Sequence, residues 1–168
     1  MTSLATHNLL TNPSFEQVGQ DGPYWDSRNV GKHPAAAGWT NYISPSVHNP
    51  VMTEDLLPST CPGGGTRMLH VTVNGYGGIV QAFGKPGTGP TQANYSVWVF
   101  VVKGNVGAGV GNAGDTGFTS HSDPKRAGSW QQLTGPQSQS PVSEFIVYGT
   151  DTDYNDFYVD LASVTAIT

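Results

Sequence analysis

Apolar and aromatic residues recur along this chain in short runs bounded by Gly, Pro or Asn, a pattern typical of β-strands. The one stretch with helical character, Thr53–Leu57, is stopped by Pro58. The runs predict strands over Met68–Val73, Ile79–Phe83, Tyr95–Val102, Val106–Val110, Trp130–Thr134, Val142–Tyr148 and Phe157–Ile167. Because Tyr95–Val102 is apolar on both faces, we expect it to be a central strand that is covered on both sides.

The last predicted strand carries an acidic residue in its middle. Alternation along the strand predicts that Leu161 shares a face with Phe157 and that Ala162 shares the opposite face with Asp160. An Asp in the middle of such a strand is unfavourable unless it is paired or binds a cation. Asp160 is therefore the first residue whose position indicates a functional group, either one half of a buried pair or a ligand of a cation.

The segment Gly19–Ser59 has no clear periodicity and is rich in Pro, Gly and Asn. A structureless stretch of this length is unusual inside a compact domain and is more often functional than idle. We expect a short strand near Trp39–Ile43, with loops that wrap one end of the molecule.

Composition agrees with a folded all-β protein. A length of 168 residues favours one domain spanning residues 1–168. The chain has 22 Gly and 12 Pro, but its four Trp, seven Tyr and six Phe supply enough apolar surface to argue against disorder. The net charge of −5 and the scattered basic residues argue against a nucleic-acid partner. A low charge and many hydroxyl and amide side chains are compatible with a neutral, hydroxyl-rich ligand, and equally with an ordinary hydrophilic surface.

The single cysteine and the N-terminus bear on location. Cys61 has no partner for an intrachain disulfide or a thiolate zinc cluster, so we expect a free structural thiol. No run approaches the roughly 18 apolar residues of a membrane span, and we expect no membrane partner. Met1–Leu10 lacks the features of a signal peptide. If the protein is extracellular or on the cell surface, as we expect, it is part of a larger secreted protein or is exported by another route.

Several short motifs occur in a recognisable order. They are Asn8-Leu-Leu-Thr-Asn-Pro-Ser-Phe-Glu16, Gly38-Trp39-Thr40, Gly64-Gly-Thr-Arg-Met-Leu-His-Val71, Tyr76-Gly-Gly-Ile-Val-Gln81, Ser129-Trp-Gln-Gln-Leu-Thr134 and Phe157-Tyr-Val-Asp-Leu-Ala-Ser-Val164. In this order they resemble the carbohydrate-binding modules of the galactose-binding-like jelly-roll class, notably families four, nine, sixteen and twenty-two. The resemblance implies a sandwich of two antiparallel sheets, a structural calcium ion and no catalysis by the module.

The calcium ion also has a chemical basis. Calcium takes six to eight oxygen ligands from carboxylates, main-chain carbonyls and water. Glu16 follows the first motif and Asp160 lies in the last strand, and a jelly roll can bring such strands together. The resemblance implies that these two carboxylates hold the ion, with main-chain oxygens near Ser14 and Arg67. The alternative is that both are ordinary exposed carboxylates.

A second acidic cluster, Asp151–Asp156, superficially resembles an EF-hand loop. Asp156 stands where that loop requires Gly, and Ala162 stands where it requires Glu. The cluster also precedes a strand rather than a helix, so we predict a solvated turn.

Sugar sites combine aromatic platforms with planar amides or carboxylates that bind hydroxyl groups. Burial tendency predicts that Trp98 packs in the core, and the resemblance implies the same for Trp39 and Trp130. Trp25 differs because it lies in a loop context without apolar periodicity, where an exposed aromatic residue needs a reason. We therefore predict that Trp25 contacts ligand.

Further ligand contacts are implied by the resemblance. Tyr42 and Tyr148 match groove positions of cleft-binding members, and Tyr76 and Gln81 lie on the strand that crosses the concave sheet in those members. Tyr76 and Gln81 have an odd separation, so they share a face only if a bulge intervenes. Glu144 lies on the face of Tyr148 and is expected to accept hydrogen bonds from sugar hydroxyls.

Two other functions stay open. A protein-interaction or structural module could use the same fold, because one fold serves many functions. A small polysaccharide lyase or glycosidase needs paired acid and base groups, and no pair in this sequence has a recognisable context. The preferred interpretation is non-catalytic binding of an oligosaccharide or polysaccharide, with a larger parent enzyme as a possible partner.

Overall fold

The computed structural model describes residues 7–23, 32–42, 46–47, 51–52, 60–85, 87–112, 115–138 and 141–167. These residues form antiparallel strands and one short 3-10 helix, Pro124–Arg126. The strands are β1 Val18–Pro23, β2 Lys32–Ala36, β3 Thr40–Tyr42, β4 Ser46–Val47, β5 Val51–Met52, β6 Arg67–Asn74, β7 Gly77–Ala82, β8 Gln92–Lys103, β9 Val106–Asn112, β10 Asp115–Thr116, β11 Ser120–His121, β12 Trp130–Ser138, β13 Glu144–Gly149 and β14 Tyr154–Ala166. In the described ranges, no helix is long and apolar enough to cross a membrane.

The strands form two packed sheets and a separate hairpin. The front sheet has the order β10-β9-β13-β7-β3, with β11 also paired to β9. The back sheet has the order β12-β8-β14-β6-β4, with β5 also paired to β6. Strands β1 and β2 pair with each other. This is the two-sheet antiparallel sandwich that the sequence predicted.

The core lies between the two sheets and is built from alternate residues of their strands. From β8 it takes Tyr95, Val97, Val99 and Val101, and the other members come mainly from β6, β9, β13 and β14. Trp39 packs on the Phe15 ring with centroids 4.9 Å apart, so the prediction that Trp39 is a core residue is confirmed.

The outer face of the back sheet carries a second apolar cluster. Cys61, Met68, Phe100, Trp130 and Tyr158 form it, and Trp98 and Leu161 pack against it. Strand β8 thus packs apolar residues on both faces, although Val102 at the end of the predicted run is 51% exposed. Trp130 is buried, which confirms its predicted packing, whereas Trp98 is only partly buried; both lie on this outer face rather than between the sheets.

A bulge in β14 changes which side chains face the core. The register against β8 shifts between Asp160 and Ser163, and Leu161 has a φ of 47°. Beyond the bulge Ala162 packs in the core, whereas Leu161 packs on the outer cluster. The predicted faces of these two residues were therefore wrong, because simple alternation does not hold across a bulge.

Candidate functional sites

Tyrosine side chains meet on the outer face of the front sheet because a glycine separates them. Tyr42 on β3 and Tyr148 on β13 both lie opposite Gly78 of the intervening strand β7. Gly78 has no side chain to keep them apart, so their ring centroids are 5.6 Å apart with planes at 60°.

Two more rings surround Tyr148. Tyr76, in the turn between β6 and β7, lies nearly parallel to it with centroids 6.3 Å apart. Phe118 stacks on it at 5.2 Å. We call Tyr42, Tyr76, Phe118 and Tyr148 the aromatic cluster. Tyr148 is its centre and is only 7% exposed, whereas Tyr76 is 49% exposed and presents the cluster to solvent.

Phe118 is held over the sheet by its neighbours. The Thr119 amide donates to the carbonyl of Ala108 on β9 at 3.2 Å. The Thr119 hydroxyl lies 2.6 Å from the hydroxyl of Tyr95, a core residue of β8. A Cβ atom on Gly107 would come within 3.1 Å of the Phe118 ring, so the absence of a side chain at Gly107 makes room for it.

The turn that carries Tyr76 is fixed by a buried asparagine. The Asn155 side-chain amide donates to the carbonyls of Gly75 at 2.9 Å and Asp151 at 3.0 Å. Its oxygen accepts from the amides of Asn105 at 3.2 Å and Asp151 at 3.1 Å. Asn155 therefore joins the β6–β7, β8–β9 and β13–β14 connections and holds Gly75, the residue before Tyr76.

The predicted ligand residues are only partly brought together. Tyr42, Tyr76 and Tyr148 lie in the aromatic cluster. Trp25 lies outside the described residues. Phe118 was not predicted, although an isolated aromatic residue in a Gly- and Thr-rich stretch is the kind of signal that singled out Trp25.

Gln81 and Glu144 need correction as ligand contacts. Gln81 is buried, and its oxygen accepts from the Thr11 amide at 2.6 Å while its nitrogen donates to the Thr11 carbonyl at 3.0 Å. It therefore ties the N-terminal segment to β7 and has no group left facing solvent. Glu144 is on the outer face but is only 5% exposed, so a sugar cannot reach its carboxylate in this arrangement.

The two carboxylates that were predicted to hold calcium lie close enough to interact. Glu16 accepts from the Arg67 amide at 2.9 Å and from the Thr66 hydroxyl at 2.8 Å. These bonds attach the N-terminal segment to the start of β6. Ser14 lies half-buried in the preceding turn.

Asp160 is fully buried and incompletely paired. Its Oδ1 accepts from the Leu161 amide at 2.7 Å, whereas its Oδ2 has no N–H or O–H donor, and only the weakly donating thiol of Cys61 lies beside the carboxylate. Burial, with a smaller contribution from the negative charge of Glu16, raises the pKa of Asp160 to about 7. A buried carboxylate oxygen without a donor is costly in the ionised form.

Glycines make room beside these carboxylates. A Cβ atom on Gly64 would lie 2.5 Å from Oδ2 of Asp160, and a Cβ atom on Gly65 would collide with the carboxylate of Glu16. The buried thiol of Cys61 also adjoins Asp160, and burial together with that carboxylate raises the pKa of Cys61 to about 12. The thiol is therefore protonated at neutral pH, and it donates weakly to the Pro62 carbonyl at 3.8 Å.

Backbone strain is concentrated next to the same two carboxylates. Phe15, which precedes Glu16, has a φ of 56°, and Leu161, which follows Asp160, has a φ of 47°. Bulky residues rarely adopt this left-handed region, and the strain costs on the order of 1–3 kcal/mol for each residue. Among the residues that the structure describes, no group of three or more His, Cys, Asp or Glu could hold a metal ion. A cation here would need main-chain oxygens or water besides Glu16 and Asp160.

Comparison with known proteins supports the fold. No protein-family model matches the sequence, and no curated protein matches it. The xylan-binding CBM22-1 domain of Paenibacillus barcinonensis Xyn10C is similar in structure, with a TM-score of 0.59 and 18% identity over 99% of this chain and 100% of that one. TmCBM61, solved in complex with β-1,4-galactotriose, gives a TM-score of 0.59 and 15% identity over 96% of this chain and 100% of that one.

A longer protein is similar over part of its length. The CBM22-1 and GH10 modules of Clostridium thermocellum xylanase 10B, solved with xylohexaose, give a TM-score of 0.56 and 17% identity. The match covers 78% of this chain but only 26% of the xylanase chain. At such low identities the likeness shows the fold alone. This chain is a β-jelly roll of the architecture found in carbohydrate-binding modules.

Proposed function

We propose that this chain is a non-catalytic carbohydrate-binding module that binds neutral oligosaccharide or polysaccharide through the aromatic cluster. The observation that carries the proposal is the half-exposed Tyr76 ring beside Tyr42, Phe118 and Tyr148 on one face of the sandwich. Aromatic rings bind the apolar C–H faces of sugars, and exposed aromatic groups of this kind mark binding surfaces.

Charge and fold support the same class of ligand. Only 11% of the residues are charged and the net charge is −5, which disfavours acidic polysaccharides. The xylan-binding CBM22-1 domain and TmCBM61, which was solved with β-1,4-galactotriose, share the fold. Xylan, xylohexaose and β-1,4-galactan are therefore the first ligands to test.

Affinity electrophoresis and isothermal titration test the proposal. Tyr76→Ala and Tyr42→Ala should each weaken binding of the glycan about twofold to tenfold, since one stacking contact contributes on the order of 0.5–1.5 kcal/mol. Tyr154→Ala is the matched control, because Tyr154 lies on β14 beneath the ammonium of Lys103 and outside the cluster. No binding of any glycan by the folded wild-type protein would reject the proposal and favour a protein-interaction or structural module.

Catalysis is tested by incubating the protein with the same polysaccharides. The protein should release no new reducing ends and no unsaturated products from the polysaccharides that it binds. Appearance of either product would instead support the lyase or glycosidase alternative.

We also propose that Glu16 and Asp160 hold a structural calcium ion. The unpaired Oδ2 of Asp160, the space left by Gly64 and Gly65 and the strained residues on both sides fit a cation better than two solvated carboxylates. The ion would neutralise a buried negative charge and join the N-terminal segment, the start of β6 and β14. Calcium should raise the melting temperature of chelated protein, and no change would reject this proposal.

The module is proposed to act within a larger extracellular protein. In the xylanase chain a similar module accompanies a GH10 module and makes up about a quarter of the length. By analogy, this chain would hold a parent enzyme or a cell surface close to its polysaccharide.

A further inference from the structure

The outer face of the front sheet is closed around the aromatic cluster. Val80 on β7 and Ile146 on β13 follow Gly78 and Tyr148 on the same face, and both are buried. Glu144, one pair further along β13, is buried as well. The apolar surface on the Val80 and Ile146 side of Tyr148 is therefore not available to a ligand.

Phe118 closes the same surface in the direction across the strands. The register Tyr42–Gly78–Tyr148–Gly107–His121 forms one row across β3, β7, β13, β9 and β11. Phe118 lies over Gly107 in this row, between Tyr148 and His121, with ring centroids 5.2 Å and 6.3 Å from them. A sugar chain crossing the strands would meet the Phe118 ring immediately beyond Tyr148.

The Phe118 ring is held in its closing position by packing and by a hydrogen bond of its neighbour. Phe118 belongs to the apolar group formed by Val80, Ile146 and Tyr148, and the hydroxyl of its neighbour Thr119 reaches the core residue Tyr95. The Phe118 ring is thus fixed where it stands, and displacing it would break both the stacking on Tyr148 and this hydrogen-bonded anchor.

We infer that the aromatic cluster binds the terminal units of a neutral glycan chain and excludes internal segments, with Phe118 as the residue that determines this specificity. The inference rests on the proposed function. A chain bound at an internal segment must leave the site in two directions, which requires an open track on both sides. Here the track is open around Tyr76 and blocked at Phe118.

The number of protein molecules bound per glycan chain tests the inference. Xylan and β-1,4-galactan are partially hydrolysed and fractionated by length, and each fraction is titrated by calorimetry with the wild-type protein. If chain ends are recognised, the number bound per chain stays constant as the chains lengthen. A number that rises in proportion to length would overturn the inference while leaving carbohydrate binding intact.

Variants at position 118 test the role of the ring. Phe118→Ala should open the row, so that the number bound per chain rises with chain length. Phe118→Leu keeps a side chain over Gly107, so the number bound per chain should stay constant with chain length even where the loss of the ring weakens affinity. His121→Ala is the matched control, because His121 is exposed at the far end of the row and does not cover Tyr148.

The outcomes separate the two proposals. A folded Phe118→Ala protein whose number bound per chain is constant at every length would overturn the role of Phe118. Circular dichroism and melting temperature verify that each variant is folded. If wild-type protein binds neither polymer nor any oligosaccharide fraction, the proposed function fails and the inference fails with it.

Discussion

Asp160 shows how a single buried residue can combine several unfavourable features. It lies on a strand whose neighbours are apolar, it has one oxygen without a donor, and it is followed by a leucine in the left-handed region. Such groups destabilise a protein unless something in the native state compensates for them. A bound cation would provide that compensation, and the stability of the protein should therefore depend on both pH and metal.

The first prediction concerns pH. The folded-state pKa of Asp160 is raised to about 7 from an ordinary value of 3.8. A raised acid pKa means that the stability contributed by the protonated form is fully present below pH 4 and is lost as the pH rises through 7. In chelator, the melting temperature should therefore fall between about pH 4 and pH 7 and change little above that, after allowance for the other titrating groups.

Calcium should reverse this trend, because it binds the ionised carboxylate. The increase in melting temperature on adding calcium should grow from pH 5 to pH 8. Asp160→Asn removes the titrating group and should abolish both effects. If the wild-type and Asp160→Asn proteins have the same pH profile in chelator, Asp160 is not the group responsible.

The second prediction concerns the glycines beside the carboxylates. In Gly64→Ala the new methyl group would lie 2.5 Å from Oδ2 of Asp160 and 2.9 Å from the Cβ of Cys61. We expect calcium affinity to fall roughly tenfold to a hundredfold, the usual effect of disturbing the residues that orient metal ligands. Gly84→Ala is the control, because its methyl group would approach only Ser143, at 3.9 Å. Equal calcium affinities of the two variants would argue against a cation at this position.

At the scale of elements, the connections at one end of the sandwich depend on Asn155. Its hydrogen bonds join three connections, and Gly104 and Gly149 pack against its amide. Gly75 and Gly104 have φ values of 73° and 83°, which glycine adopts without strain. The position of Tyr76 is therefore set by a buried polar residue rather than by the strands.

The third prediction follows from these bonds. Asn155→Ala should lower the free energy of unfolding by about 2–4 kcal/mol, because it leaves buried main-chain groups unpaired. Urea unfolding measures the change, and Asn74→Ala, an exposed asparagine at the end of β6, provides the comparison. A loss below about 1 kcal/mol would mean that water replaces the amide at little cost.

The sequence predicted the elements with strong periodicity and missed those without it. The runs around Tyr95, Trp130 and Val147 became strands β8, β12 and β13 because their apolar residues reach the core or the outer cluster. The β1–β2 hairpin was not predicted, since Val18–Pro23 contains glycines and polar residues and has no alternation to detect.

The candidate sites were predicted less completely than the fold. Tyr42, Tyr76 and Tyr148 were found from their positions in motifs, but their mutual burial depends on Phe118, which comes from a different part of the chain. Glu144 has the predicted face but not the predicted exposure. The exposure of a side chain depends on the segments that pack around it, so the pattern of residues along one strand cannot predict it.

At the scale of the whole molecule, the C-terminal strand completes the back sheet. Strand β14 pairs with β8 on one side and with β6 on the other. These partners are distant in sequence, so much of the back sheet forms only when the end of the chain is in place.

The fourth prediction is that a chain ending at Asp153 does not fold. Loss of β14 would separate β6 from β8 and expose the core at Val71, Val97 and Val99. Near-ultraviolet circular dichroism and amide dispersion in NMR spectra would report the loss. A truncated protein with a cooperative unfolding transition would contradict the central role of β14.

The two candidate sites lie on opposite outer faces of the sandwich. The aromatic cluster lies on the front sheet, whereas Asp160 faces outward from the back sheet beside Cys61. Changes at such separated sites without shared partners are usually additive.

The fifth prediction is therefore that chelation lowers stability but not affinity. Glycan affinity measured well below the melting temperature should differ less than about threefold between calcium and chelator. Tyr76→Ala should have the opposite effect and weaken binding without changing the calcium response. A large loss of affinity in chelator, with the fold intact, would mean that the two faces are coupled.

The glycines on either side of Tyr148 suggest how this face could evolve. Gly107 decides how closely Phe118 approaches Tyr148, because it leaves a space that the Phe118 ring fills, whereas a Cβ atom on Gly78 would collide with the β13 backbone at Val147. A small side chain at Gly107 would move the Phe118 ring without altering Tyr42, Tyr76 or Tyr148. Under the proposed function, a duplicated copy would therefore gain a new sugar preference through a substitution at Gly107, while the aromatic residues themselves stay the same.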